Sequence, residues 1–231
     1  MTSSAPAESV LTDASVLLTG ASGGIGTALV DELHRRGARL TMVARHEESL
    51  ERLSAPGTKV ALDLRSPDAG RRSVEAAVTA NGGVDVVINA FGVVAFGPVS
   101  ELSIDVLEEL FLTNTFAPIV VSQAALAVME PGGVIVNISG VIAEQNLPGM
   151  AAYGASKAAL RSFDEALARE ARRRKIRIVD ARPPHTETGL ATRPIDGEAP
   201  KMPTGLDPAA VAKRICDAID GGLTDLPAEA F

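Results

Sequence analysis

Tyr153 and Lys157 stand four residues apart in Tyr153-Gly154-Ala155-Ser156-Lys157, and Tyr153 is the only tyrosine in the chain. On a helix that spacing turns both side chains to one face. A phenol with an ordinary pKa of about 10 is a poor acid or base at neutral pH, and a neighbouring ammonium favours the phenolate. The pair therefore suits proton exchange with an oxygen. Far upstream lies a second candidate, Thr19-Gly20-Ala21-Ser22-Gly23-Gly24-Ile25-Gly26. Glycines there let the backbone turn tightly and approach a pyrophosphate, while unpaired N–H groups at a helix start face its charge. Gly20, Ser22, Gly23, Gly24, Ile25 and Gly26 are thus candidate cofactor contacts.

The same stretch matches G-x-S-x-G, the nucleophile elbow of serine hydrolases. That chemistry needs an acid and then a histidine downstream, and the only late histidine, His185, falls in a proline-rich segment. A hydrolase working through Ser22 is therefore a remote alternative. At the end of the second apolar segment, Val43-Ala44-Arg45-His46 offers no acid for a ribose 2′-OH but does offer a guanidinium suited to a 2′-phosphate. Arg45 favours NADP(H) over NAD(H).

These residues need elements to position them. Val16-Leu17-Leu18 leads into the glycine turn, and Ile25, Leu29 and Leu33 follow at helical spacing, giving strand, turn, helix. The alternation continues with strands at Leu40 to Ala44 and Lys59 to Leu62, and helices from about Glu47 and from about Pro67 to Ala80. Val84 to Ala90 and Val134 to Ile138 are apolar runs rich in β-branched residues without polar alternation, as expected of strands covered on both faces. Long helices are expected from about Ser103 to Met129 and from about Ala152 to Arg174. A sixth strand over Ile176 to Ala181 and a last helix over Asp207 to Ile219 complete the series. Residues 183 to 206 hold five of the 14 prolines and read as an irregular substrate loop. The expected fold is α/β, a Rossmann-type doubly wound parallel sheet in one domain over residues 15–231, after a flexible leader over 1–14.

Composition narrows the function. Of 231 residues, 46% are hydrophobic and 22% charged, which excludes collagen, coiled coil and wholesale disorder. The net charge of −7 opposes nucleic-acid binding. One cysteine, Cys216, with His34, His46 and His185 gives no metal-ligand spacing, so no metal is expected. The start of the chain lacks the pattern of a signal peptide, and no run approaches about 18 apolar residues, so a cytoplasmic protein with no membrane partner is expected. The basic cluster Arg169, Arg172, Arg173, Arg174, Lys175 and Arg177 reads as a solvated helix end.

As a set the residues resemble the short-chain dehydrogenase/reductase family from about Ser15 to the final helix. Thr19-Gly20 to Gly26 is similar to its T-G-x-x-x-G-x-G, Asp63-Leu64 falls where the family contacts adenine, and Asn89-Ala90-Phe91-Gly92 occupies the place of N-N-A-G. Asn114 matches the helix asparagine, and Tyr153 with Lys157 matches Y-x-x-x-K. The resemblance implies hydride transfer between NADP(H) and a carbonyl or alcohol. Tyr153 would exchange the proton, Lys157 would bind the nicotinamide ribose and lower the tyrosine pKa, and Asn114 would hold a relay water. It also places Asp63, Leu64, Asn89, Ala90 and Gly92 at the cofactor, with Pro183, Thr186 and Thr188 in the loop beside the nicotinamide, and implies a homodimer or homotetramer through the two long helices.

Three positions depart from the family pattern. Gly140 stands where the family has its catalytic serine, with Ser139 one step earlier on what should be the opposite side. Loss of such a donor typically costs about 10²–10³ in rate. Phe91 replaces a small residue, Pro184 replaces a glycine and has no N–H to offer, and His185 follows it. These departures leave a catalytically weak, cofactor-binding regulator or scaffold as the alternative.

Overall fold

Seven strands run parallel in one sheet: β1 (Ser15–Thr19), β2 (Arg39–Ala44), β3 (Thr58–Ala61), β4 (Val86–Asn89), β5 (Val134–Ile138), β6 (Arg177–Ala181) and β7 (Asp225–Leu226), in the order β3-β2-β1-β4-β5-β6-β7. The computed structural model describes residues 9–231. Residues 1–8 of the expected leader lie outside the described residues. Residues 10–13 form a turn, and Leu11 within it is fully buried, so the packed chain begins before residue 14. The helices are α1 (Gly24–Arg35), α2 (Glu47–Glu51), α3 (Ala69–Asn81), α4 (Ile104–Phe111), α5 (Ala117–Val128), α6 (Ala151–Ala171) and α7 (Pro208–Asp220).

Every residue of β1, β4 and β5 is buried, as expected of central strands covered on both faces. The edge strand β3 instead alternates half-buried and exposed positions. Because side chains alternate along a strand, the sheet has two distinct faces. Val16, Leu18, Ile88, Val136, Ile138 and Val179 pack with α1 and α7, whereas Leu17, Val87, Ile135 and Ile178 pack with α3, α5 and α6. The seventh strand was not foreseen: its two residues exist as a strand only by pairing with Asp180 and Ala181.

The long helix expected over 103–129 is continuous but not uniform. Leu112–Phe116, between α4 and α5, is one wide π-helical segment. No unbroken apolar run of span length was expected, yet among the described residues Ile104–Val128 reaches the length and apolarity of a membrane span. In the fold it lies along the sheet, with Ala117, Val121 and Ala125 in the core, while Ile104, Leu112, Phe116 and Val128 are exposed.

Candidate active site

Strand order reverses between β1 and β4, and in open α/β sheets ligands bind beyond the carboxyl ends of strands at such a point. Thr19 and Asn89 are paired there, and Gly20 and Ala90 follow them. Gly20 has φ +76°, and a Cβ on it would lie 2.7 Å from Phe91 Cβ. A Cβ on Gly26 would lie 2.0 Å from the Gly20 carbonyl oxygen, so only glycine closes this turn. The N-terminus of α1 carries no side-chain cap and no acid in its first turn, which leaves the first N–H groups of a 12-residue helix available to an anion. The turn thus fits a dinucleotide's pyrophosphate. Ser22 is exposed beside it, Ile25 is half-buried against the core, and among the described residues the Ser22 hydroxyl has no hydrogen-bond partner to activate it as a nucleophile.

Arg45 and His46 are exposed at the end of β2, in a shallow pocket shared with Glu47, Glu48 and Glu51. Asp63 is taken up by Arg65, which also bridges to Glu109, and that guanidinium holds the Asp63 carboxyl down to about 2. Leu64 is buried beneath it.

Tyr153 and Lys157 occupy the first two turns of α6. Tyr153 lines a cavity of about 380 Å³ whose wall includes Phe96, Leu102 and Met150, with Glu101, Asp196 and Glu198 also present and no basic side chain. Burial pushes the phenol up to about 12, opposite to the lowering that the resemblance implies from Lys157. Lys157 is 5% exposed and donates to the Ile138 carbonyl at 2.8 Å. Burial brings its ammonium down to about 8, with Asp180 and then Asp164 acting the other way.

The π segment buries Asn114 completely. Its Nδ2 donates to the Val93 carbonyl (2.9 Å) and to Ser156 Oγ (3.0 Å), and its Oδ1 accepts from Val93 N–H (2.9 Å). Only the second lone pair of Oδ1 is left for a water. Gly92 brings the parts together: a Cβ there would lie 2.9 Å from Asn114 Oδ1 and 3.3 Å from Lys157 Nζ.

Ser139 stands one residue before Gly140. It is fully buried and its hydroxyl donates to Asp180, away from the cavity. Gly140 has φ +80° and its nearest neighbour to an added Cβ is the Pro183 carbonyl at 3.9 Å, so there is room at this position but a backbone suited to glycine. Pro183 is buried and its carbonyl accepts from Val141 N–H. Thr186 is buried with its hydroxyl on the Pro184 carbonyl, and Thr188 rests on the glycine turn, 2.5 Å from where a Gly24 Cβ would be. His185 is half-buried and lies 3.5 Å from Glu187 rather than at Tyr153.

A polar row that sequence reasoning missed lies behind Lys157. Thr19, Asn89, Asn137 and Asp180 are register partners across β1, β4, β5 and β6. Thr19 Oγ1 donates to Asn89 Oδ1 (2.7 Å), Asn89 Nδ2 to Asn137 Oδ1 (2.7 Å), and Asn137 Nδ2 to Asp164 Oδ1 (2.5 Å) on α6. The available signal was helical spacing: Asp164 falls between Leu160 and Leu167 on the buried face of α6.

Residues 14–198 match the family described as short chain dehydrogenase. The 3-ketodihydrosphingosine reductase of Mus musculus is 32% identical over 237 residues, covering 94% of this chain and 71% of that protein. A short chain dehydrogenase from Burkholderia cenocepacia, solved in complex with NADP, superposes with TM-score 0.82 at 26% identity over 94% of this chain and 96% of that one. A short chain dehydrogenase/reductase from Burkholderia phymatum, solved in complex with NAD, has the same fold, with TM-score 0.84 at 24% identity over 94% of this chain and 89% of that one.

Proposed function

The chain belongs to the short chain dehydrogenase family, and on that premise we propose that it is an NADP(H)-dependent oxidoreductase that interconverts a small-molecule carbonyl and its alcohol, with Tyr153 giving or taking the proton. The observation that carries this reading is the approach of Asn114 Oδ1 and Lys157 Nζ to Gly92 at the carboxyl edge of the sheet, with Tyr153 one helical turn before Lys157 on α6 and lining the cavity. A bound nicotinamide supplies or accepts the hydride. The protein residues do the rest. The first N–H groups of α1 hold the pyrophosphate, Lys157 offers an ammonium to the nicotinamide ribose, and Asn114 braces the Val93 backbone against α6 through Ser156. Tyr153 carries the proton that a carbonyl oxygen takes up as hydride reaches its carbon, and reduction is the direction proposed. The mouse relative, named as a reductase of a keto compound, supports the same direction.

Tyr153→Phe should lower carbonyl-dependent NADPH oxidation by at least about 10²-fold while leaving NADPH affinity nearly unchanged. Undiminished turnover would overturn the role of Tyr153. A wild-type chain that binds NADPH but turns over no ketone or aldehyde would favour the regulator reading that Gly140 supports.

The NADP preference rests on Arg45, since Glu47, Glu48 and Glu51 share its pocket and oppose a phosphate. Arg45→Ala should weaken NADPH by roughly tenfold and leave NADH unchanged, as expected for loss of one charge-assisted contact. Equal weakening of both cofactors in a calorimetric titration would remove the preference.

A further inference from the structure

Two buried ionisable groups of α6 lack an oppositely charged hydrogen-bond partner. Lys157 makes its bond to a carbonyl, that of Ile138. Asp164, 2% exposed, accepts from Asn137 through Oδ1, and its Oδ2 has no partner. The other carboxyl of the polar row is provided for: Asp180 is bonded by Ser139 and by Arg182. Arg182 is further paired with Glu144 and Asp225, and Arg161 with Glu144 and Glu165.

The geometry links the two unmatched groups. Asp164 follows Lys157 by seven residues, two helical turns, and therefore lies on the same face of α6. The carbonyl that Lys157 holds belongs to Ile138, between Asn137, which binds Asp164, and Ser139, which binds Asp180. The ionisable groups of this assembly are Tyr153, Lys157, Arg161 and Asp164 on α6, Asp180 and Arg182 of β6 and its extension, Glu144 after β5 and Asp225 of β7. The facing residues of β1, β4, β5 and the π segment (Thr19, Asn89, Asn137, Ser139 and Asn114) carry no charge at neutral pH.

We propose that Asp164 is a positioning residue acting through Lys157: together with Asp180 it supplies the counter-charge that keeps the lysine protonated and seated on the Ile138 carbonyl, ready for the cofactor ribose. Burial drives the Asp164 carboxyl well above the usual carboxylate range and Asp180 adds to that rise, while Asn137 and then Lys157 oppose it. The states of the two groups are thereby coupled, and the hydrogen-bond chain from Thr19 ties that coupling to the start of the glycine turn.

The inference rests on the proposed role of Lys157 in cofactor binding, and NADPH is the probe. Titrations of the full chain from pH 7 to 10 should show affinity falling as pH rises through about 8 in the wild type, where the lysine loses its charge. Lys157→Met should abolish that dependence. Removing an anion lowers the pKa of a nearby ammonium. Asp164→Asn should therefore move the midpoint to lower pH and weaken binding about threefold to tenfold at pH 8. Asp164→Glu should restore the midpoint, which a merely structural role would not require.

Should Asp164→Asn fail to fold, Asn137→Ser, which withdraws the donor but keeps the carboxyl, should shift the midpoint in the same direction. A wild-type chain that binds no NADPH refutes the functional reading. A wild-type pH dependence that Asp164→Asn, or Asn137→Ser in its place, leaves unmoved refutes this inference alone.

Discussion

The two faces of the sheet are built from the same strands yet differ at their carboxyl ends. Toward α1 and α7 the side chains stay hydrocarbon to the last residue, with Leu18, Ile88, Ile138 and Ala181 all buried. Toward α6 the apolar packing of Leu17, Val87, Ile135 and Ile178 gives way, two residues on in each strand, to Thr19, Asn89, Asn137 and Asp180. One face serves stability alone. The other trades part of that stability for a hydrogen-bonded support beneath Lys157, since buried polar groups contribute little net stability even when satisfied.

Substitutions at neighbouring positions of β4 test this contrast. Ile88→Ala empties a fully buried site on the apolar face and should cost about 2–5 kcal/mol in chemical unfolding. The folded fraction should keep the wild-type pH midpoint for NADPH. Asn89→Leu, one residue on, leaves the Thr19 hydroxyl and the Asn137 amide without their shared partner. It should cost less, about 1–3 kcal/mol, yet displace the NADPH midpoint. If Ile88→Ala displaces that midpoint as far as Asn89→Leu does, the faces are not functionally distinct.

Much of this was legible in the chain because it is local. The glycine turn, the Tyr153–Lys157 spacing and the two strands rich in β-branched residues each declare themselves within a few residues, and the alternation of strands and helices places them on one sheet. The rest depends on contacts distant in sequence. Asp180 interrupts the apolar run of β6, but nothing local says that Ser139 and Arg182 hold it. Asp164 breaks an otherwise apolar helical stripe, and its partner lies 27 residues away. Adjacent side chains on a strand extension diverge, so Ser139 was a doubtful substitute for Gly140, and the structure shows it bonded to Asp180. The tyrosine was expected to be tuned downward by its lysine, whereas burial dominates in the protein alone.

The wide turn at Leu112–Phe116 makes this stretch sensitive to length more than to composition. Leu112 and Phe116 are exposed and could be exchanged cheaply. Dropping one residue, however, would restore regular winding at the expense of the turn itself, since the wide segment accommodates one residue more than an α-helix does over the same rotation. The flanks would stay in phase, with Ala117, Val121 and Ala125 still in the core, while Asn114 would lose its place between Val93 and Ser156. Insertions and deletions here should accordingly be rarer among working descendants of this chain than changes of residue type.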